Sequence, residues 1–145
     1  MRDNGPPPKR VLMSESADNG ETWTTARDTD IPNSGTGLEV IVLKDGRWLM
    51  INNDTEKDRY SLALTMSDDE GKTWKWKRHI ELDKREKQPG SFHYPSIIQA
   101  RDGSIHASYS VFHNHVPNWG VGSPEAGSEE AWHELTGQPA GSTLP

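Results

Sequence analysis

The sequence contains no cysteine, few aromatic residues other than tryptophan, and no long apolar run. Without cysteine it has neither disulfides nor a thiolate metal site, which leaves the redox compartment open. Its longest apolar runs reach about five residues, far short of the roughly 20 that a membrane-spanning helix needs. The opening residues, MRDNGPPPKR, lack the apolar middle of a signal peptide, which says little for an internal piece of a longer protein. We expect no membrane partner and assign no compartment.

Positive charge is also scarce. The chain has 16 Lys and Arg against 22 Asp and Glu, which gives a net charge of −6. A nucleic-acid surface would need a basic stripe, so we expect no nucleic-acid partner. Hydrophobic residues make up 31% of the chain, so any core must be thin and layered.

What the sequence does contain is an eight-residue motif that occurs twice, as SADNGETW and as SDDEGKTW, which we call the repeated phrase. In this pattern a glycine can take the positive φ of a tight turn, and Asp and Ser can accept hydrogen bonds from loop amides. The tryptophan that closes each phrase is expected to pack between sheets. We therefore interpret the phrase as a structural turn and not as a catalytic site. The shared residues are Ser16, Asp18, Gly20, Thr22 and Trp23 in the first copy and Ser67, Asp69, Gly71, Thr73 and Trp74 in the second.

The segments around the second phrase predict four antiparallel strands. LEVIVL (38–43) and WLMIN (48–52) are apolar and β-branched and flank an Asp-Gly turn, which is typical of a hairpin. YSLALTMS (60–67) alternates like a half-buried strand, and WKWKRHIEL (74–82) alternates again after the phrase. Together they form a four-stranded unit of about 45 residues.

A second copy of this unit begins with YPSIIQA (94–100), turns at Asp102-Gly103 and returns as SIHASYSVF (104–112). Upstream, KRVLMS and the segment from Trp23 supply the last two strands of an earlier copy. Four-stranded antiparallel units that repeat at this spacing are the signature of propeller blades. We predict an all-β fold with half a blade, a whole blade and half a blade over residues 1–112, taken from a larger propeller. Such a piece leaves strand faces to be covered, which predicts either a fragment or self-association that completes a ring.

Residues 113–145 do not continue the blade pattern. They are rich in Gly, Pro and Ser and cannot bury enough apolar surface to offset the entropy of ordering, so we predict a disordered tail. His113 and His115 lie at its start, but two histidines without a third ligand at a suitable spacing make a weak metal site. We predict no metal and no cofactor.

Strand directions in a blade alternate, so its connections alternate between the two ends of the sheet. The short Asp-Gly turns share one end with the repeated phrases, and the longer polar loops lie at the other end, where binding residues are expected. The residues predicted at that end are Asn33, Ser34, Asn53, Asp54, Arg59, His93 and Tyr94.

The repeated phrase resembles the Asp-box, or BNR repeat, of the sialidase superfamily, in which it joins the third and fourth strands of a blade. FHYPSIIQARDGSIHASYS resembles the segment of exo-α-sialidases in which a Tyr opens the first strand of a late blade. PNSG and INND, together with HYPSIIQ, are also similar to segments of bacterial sialidase-like proteins. The resemblance covers roughly residues 9–112 and implies a six-bladed parent propeller.

In that family the Tyr is the nucleophile, and an Arg about one blade upstream is one of three that clamp the carboxylate of sialic acid. The resemblance therefore implies Tyr94 as catalytic and Arg59 as substrate-binding, with Asn33, Ser34, Asn53 and Asp54 as further pocket candidates. By the family's usual separations, the catalytic Glu and Asp and the other two Arg would precede Met1, so this chain alone is expected to be inactive. One departure is Pro95, where the family commonly has Ser; Pro95 predicts an extended backbone at Tyr94.

Each candidate also has a structural interpretation. Tyr94 could pack at a strand entry, and Arg59 could pair with Asp58 or Glu56 in solvent. Asn53 and Asp54 are ordinary turn residues, and His93 would point to the face opposite Tyr94 if the strand is extended. Three functions stay open: a sialidase-like glycoside hydrolase acting on glycans or small sugars, a non-catalytic carbohydrate-binding propeller, and a polysaccharide lyase or other glycosidase on the same fold.

Overall fold

A computed structural model describes residues 1–86 and 89–112, which form eight β-strands. No helix in these residues is long and apolar enough to cross a membrane. The predicted tail, 113–145, lies outside the described residues. The strands are β1 Arg10–Met13, β2 Arg27–Pro32, β3 Glu39–Val42, β4 Trp48–Asn52, β5 Ser61–Ser67, β6 Trp76–Leu82, β7 Ser91–Gln99 and β8 Ile105–Phe112.

The strands form three antiparallel sheets. β1 pairs with β2, the strands β3-β4-β5-β6 form a four-stranded central sheet, and β7 pairs with β8. Each strand in the central sheet pairs with its neighbour in sequence, which is the up-and-down order of a propeller blade. The all-β, blade-type architecture predicted from the sequence is confirmed.

One face of the central sheet forms the core. Alternate residues of its strands project toward β7 and β8, and Ile51 and Leu62 are fully buried there. Phe92 and Ile97 of β7 pack against them from the other side. Two sheets in face-to-face contact thus supply the thin core that the composition requires.

The opposite face of the central sheet borders an open cleft. A space of about 1650 Å³ separates it from β1 and β2, with Trp48 and Met50 among its lining residues. Val40 and Val42 of β3 stay 39% and 62% exposed on this side. Self-association that would cover such a face stays a prediction.

Three predictions about individual elements were wrong. β5 was expected to be half-buried, yet all seven of its residues are buried, because it is an interior strand with β4 and β6 on its two edges and β7 packed against one face. β2 begins at Arg27 and not at Trp23, since residues 24–26 are irregular and the ladder with β1 ends at the pair Met13 and Arg27. β7 begins at Ser91, ahead of Tyr94, because its pairing with β8 extends to Phe112.

The two repeated phrases form the same hydrogen-bonded turn. Ser67 Oγ accepts the Gly71 amide at 2.9 Å, and Asp69 Oδ1 accepts the Thr73 amide at 2.8 Å. Ser16 Oγ and Asp18 Oδ1 do the same for Gly20 and Thr22, at 2.8 and 2.9 Å. The glycines adopt φ of 78° and 91°, which a residue with a Cβ rarely adopts.

The tryptophans of the two phrases differ in their surroundings. Trp74 is partly buried beside Gly71 and the Trp48 ring. Trp23 is 63% exposed, so the prediction that it packs between sheets was wrong. Its indole N–H is instead bonded to the Gly20 carbonyl at 3.0 Å, because no other sheet in the described residues covers this turn.

Candidate functional site

The connections between strands sort to the two ends of the sheets as predicted. The turn after β3 meets the turn after β7, where the Lys44 amide donates to Gln99 Oε1 at 2.8 Å. The antiparallel order places the connections 33–38 and 53–60, together with the described residues of the β6–β7 connection, at the opposite end. We call this the long-loop end; it carries every candidate residue outside the repeated phrases.

Arg59 is fixed at the long-loop end by both its backbone and its side chain. Its carbonyl accepts the Phe92 amide at 2.9 Å, which ties the β4–β5 connection to β7. Its guanidinium donates to Nδ1 of His93. The pairing with Glu56 that the sequence left open is not formed, since Glu56 lies 2.5 Å from Arg10 instead.

His93 lies at the centre of the candidate site. Its Nε2 lies 2.8 Å from Ser91 Oγ, and its ring meets Phe112 edge-on with centroids 4.7 Å apart. Burial lowers the pKa of His93, and the charge of Arg59 lowers it further. The structure therefore favours a neutral imidazole.

Tyr94 has a conformation that the sequence did not predict. It adopts φ of +50° at a register shift between His93 and Ser96, so the extended backbone predicted from Pro95 was wrong. Proline has no N–H for the ladder and is tolerated at bulges, and here it directly follows the left-handed residue. Tyr94 is 74% exposed.

This bulge also changes how His93 and Tyr94 relate to each other. Consecutive residues of a regular strand point to opposite faces. Here the two ring centroids are 6.0 Å apart with an interplanar angle of 41°, so the rings are neighbours. The expectation that His93 points away from Tyr94 was wrong, because it assumed an extended strand.

An open depression of about 390 Å³ lies beside these residues. The Arg59 guanidinium and the His93 imidazole line it, and Tyr94 lies next to it along β7 without contributing to its wall. The cleft beside the central sheet is larger, but strand faces and repeated-phrase turns line much of it. We place the candidate site at the depression because a cation and an imidazole converge there. Its lining residues are Asp58, Arg59, Pro89, Gly90, Ser91 and His93.

Asp54 turns away from the depression. Its side chain is 7% exposed and lies over β5 and β6, where it accepts from Ser61 Oγ at 2.6 Å. Lys77 and His79 each approach the other carboxylate oxygen to 3.0 Å. Burial works to raise the pKa of Asp54, but the hydrogen bonds from Ser61 and Lys77 and the charge of Lys77 lower it overall. These contacts give Asp54 a structural role.

The two candidate asparagines are fully buried. Asn53 Nδ2 donates to the Ser61 and Phe92 carbonyls at 2.7 and 3.2 Å, which joins the central sheet to β7. Asn33 Oδ1 accepts the Gly35 and Thr36 amides at 2.9 and 2.8 Å, as in an Asx turn.

Several side-chain atoms near these asparagines have no protein partner. They are buried polar atoms, and burial without a partner is costly unless water fills the gap. Ser34 belongs to this group and makes no contact with the depression. The atoms are Asn33 Nδ2, Ser34 Oγ, Thr36 Oγ1, Asn52 Oδ1 and Asn53 Oδ1.

Sequence reasoning gave too little weight to Ser91 and His93. The signal was available: residues two apart on a strand share a face, so Ser91 and His93 could have been paired from their spacing. No group of three or more metal-ligating side chains occurs in residues 1–86 and 89–112. His113 and His115 lie outside those residues.

Comparison with known protein families shows which family the chain belongs to. A model of the BNR repeat-like domain matches residues 1–107, a span that includes both repeated phrases as well as Arg59 and Tyr94. The chain belongs to the BNR repeat-like family. The phrases of this BNR repeat-like chain are therefore Asp-boxes, and the resemblance to the sialidase superfamily is confirmed at that level. No curated protein and no solved structure matches it closely enough to refine the assignment.

Proposed function

We propose that this chain is the part of a sialidase-like glycoside hydrolase that contributes the tyrosine nucleophile, Tyr94, and one carboxylate-binding arginine, Arg59. The observation that supports the proposal is the junction between the β4–β5 connection and β7. The 2.9 Å bond from Phe92 N to Arg59 O and the contact between Arg59 and His93 bring a guanidinium next to the residue that precedes Tyr94.

The chemistry of the substrate suits these two groups. Sialic acid carries a carboxylate at its anomeric carbon, and a planar guanidinium binds carboxylates through paired hydrogen bonds. A carboxylate nucleophile would repel this anion, whereas a phenol is neutral until a base takes its proton. Tyr94 has its phenol ring largely in solvent, where a substrate can reach it.

The reaction proceeds in two displacement steps, as in other retaining glycosidases. The Tyr94 oxygen, deprotonated by a general base, forms a bond to the anomeric carbon as the glycosidic C–O bond breaks. The leaving oxygen takes a proton from a general acid. Water then gives a proton to the group that served as the acid and bonds to the anomeric carbon, while the tyrosine oxygen leaves and takes its proton back from the base. In this proposal the base and the acid come from other blades of the parent propeller.

Ligand binding tests the role of Arg59. We expect N-acetylneuraminic acid to bind the chain with a Kd of about 1 mM or weaker, because only one arginine of the clamp is present. Arg59→Gln should abolish binding, and Arg101→Gln, an exposed arginine at the opposite end, should leave it intact. The methyl ester of the sugar, which lacks the charge, is the ligand control. Equal binding of the acid and the ester would contradict the proposal.

A hydrolysis assay tests the proposal that this chain holds the nucleophile while the base and the acid come from other blades of the parent. The purified chain should release no sialic acid from a fluorogenic sialoside. Clear turnover that Tyr94→Phe abolishes would show that the base and the acid lie within this chain.

A polysaccharide lyase is the second candidate, and the neighbouring His93 and Tyr94 rings favour it, because such a pair could remove and return a proton. Both His93 nitrogens are engaged, however, one by Arg59 and one by Ser91. A base needs a free nitrogen lone pair, so the hydrolase is the better-supported candidate. Formation of an unsaturated uronate from a uronic acid polymer, followed by ultraviolet absorbance, would reverse this preference.

A carbohydrate-binding propeller without activity is the third candidate, and it differs in what Tyr94 must do. An exposed ring that only stacks on a sugar keeps its function in Tyr94→Phe and loses it in Tyr94→Ala. A hydrolase parent with Tyr94→Phe instead binds the sugar and fails to cleave it. Measuring binding and turnover for both variants in the parent separates the two functions.

A further inference from the structure

We infer that His93 is a positioning residue that holds the Arg59 guanidinium at the depression only while its imidazole is neutral. Protonation of His93 then releases Arg59 and weakens the binding of a ligand carboxylate. This inference rests on the proposed function only for the nature of the ligand; the coupling between the two side chains stands on their contacts alone.

The hydrogen bonds around the imidazole fix one tautomer. A guanidinium has donors and no acceptor, so His93 Nδ1 must carry a lone pair to meet Arg59. The proton of the neutral ring is then on Nε2, which donates to Ser91 Oγ at 2.8 Å. In the imidazolium both nitrogens are donors, so Nδ1–H would face the N–H groups of Arg59 and the contact would be lost.

The ring has little freedom to avoid this conflict. The Phe112 ring packs against the imidazole with their centroids 4.7 Å apart. The bulge after His93 sets the direction of the Tyr94 side chain beside the imidazole. The backbone carbonyl of Arg59 is bonded to the Phe92 amide, whereas the guanidinium sits at the end of a long side chain that can rotate about its own bonds. Protonation therefore has to move the Arg59 side chain and not the ring.

The described groups around the ring provide no ion pair for an imidazolium. From the β4–β5 connection, Arg59 adds positive charge. Asp58 lines the same depression, and none of the ion pairs among the described residues joins it to His93. From the segment before β7, Asp83 is engaged by Arg85 and the Gly90 amide. The Tyr94 ring and the apolar Phe112 of β8 also lie against the imidazole. Burial, and then the charge of Arg59, lower the pKa of His93, in agreement with a neutral ring.

The direction in which ligand affinity changes with pH distinguishes a His93 that positions Arg59 from a His93 that only adds charge. If His93 were only a nearby titrating group, its protonation would add positive charge and tighten the binding of an anionic sugar. Positioning predicts the reverse, because release of Arg59 removes the paired hydrogen bonds. We expect the Kd for N-acetylneuraminic acid to rise about tenfold between roughly pH 7.5 and pH 5.

Two substitutions at His93 separate its functions. His93→Phe keeps a ring against Phe112 but removes the acceptor, so at pH 7.5 it should bind about tenfold more weakly than wild type, and its binding should not change with pH. His93→Gln offers an amide oxygen to Arg59 and an amide N–H to Ser91 without titrating, so it should restore binding and abolish the pH dependence. Binding by His93→Phe that equals wild type at pH 7.5, or tighter wild-type binding at low pH, would overturn the inference.

Nuclear magnetic resonance of the imidazole nitrogens in the full chain tests the coupling without any ligand. We expect the Nε2–H tautomer, a His93 pKa below the ordinary value, and a pKa that rises in Arg59→Gln but not in Arg101→Gln. An Nδ1–H tautomer, or no response to Arg59→Gln, would overturn the coupling. If this result holds while N-acetylneuraminic acid fails to bind, the proposed function fails and the positioning role of His93 stands.

Discussion

The two faces of the central sheet are built from similarly apolar residues but have different surroundings. Toward β7 and β8, Ile51 and Leu62 are fully buried against Phe92. Toward β1 and β2, Val42 is 62% exposed beside a cleft of about 1650 Å³. The register explains the alternation, since neighbouring residues of each strand project to opposite faces. Apolar character predicts a strand, but only the neighbouring sheet decides which residues form the core.

The largest expected effect comes from truncating one side chain on each face. Leu62→Ala should lower the free energy of unfolding by about 2–5 kcal/mol, because it leaves a cavity in the packed core. Val42→Ala should cost less than about 1 kcal/mol, because the side chain is already largely in solvent. Urea unfolding of both variants measures the difference. Similar losses would mean that the cleft is closed in solution.

The two Asp-box glycines sharpen the same comparison. Both adopt positive φ, so alanine should cost about 1–2 kcal/mol at either position. At Gly71 a Cβ would also meet the Trp48 ring at 3.1 Å, whereas at Gly20 the nearest atom is a Trp23 carbon at 3.7 Å. Gly71→Ala should therefore destabilise the chain more than Gly20→Ala. Thermal melts that rank the two variants in the opposite order would place Trp48 elsewhere.

Lowering the pH should destabilise both Asp-boxes, and we expect this effect on stability to be smaller than those of the core and glycine substitutions. Hydrogen bonds from the Thr22 side chain and amide lower the pKa of Asp18 to about 2, and those from the Thr73 side chain and amide likewise lower the pKa of Asp69. A lowered carboxyl pKa gives stability that is present above the unfolded pKa, near 3.9, and is lost as the pH falls toward the folded value.

Thermal midpoints should therefore fall as the pH drops below about 4. Asp69→Asn and Asp18→Asn should each flatten this dependence, because both carboxyl groups have a lowered pKa. A dependence that neither substitution alters would assign the acid sensitivity to other carboxyl groups.

Whether a feature could be predicted from the sequence depends on how far apart along the chain the residues that produce it lie. The Asp-box turns and the Asp-Gly hairpins could be predicted because their hydrogen bonds join residues two to four apart. The burial of β5 and the exposure of Trp23 could not, because they depend on which sheet lies opposite. The role of Asp54 rests on Lys77, 23 residues further along the chain, which no local pattern reveals.

The candidate site shows the same division. The predicted strands placed Arg59, His93 and Tyr94 at one end of the sheets, because the order of antiparallel strands determines at which end each connection lies. The left-handed backbone of Tyr94 depends on how the ladder accommodates Pro95, and the contact between His93 and Arg59 joins residues 34 positions apart. Local propensity favoured the wrong conformation for Tyr94 and gave no sign of that contact.

The most direct test of the account is to map where an anionic sugar binds on the ¹⁵N-labelled chain. With N-acetylneuraminic acid, we predict amide shifts in residues 58–60 and 90–94 and none at the Trp48 and Trp74 indoles. That result would place recognition at the depression beside Arg59. Shifts confined to the cleft indoles, with the Arg59 and Tyr94 amides unmoved, would contradict the assignment.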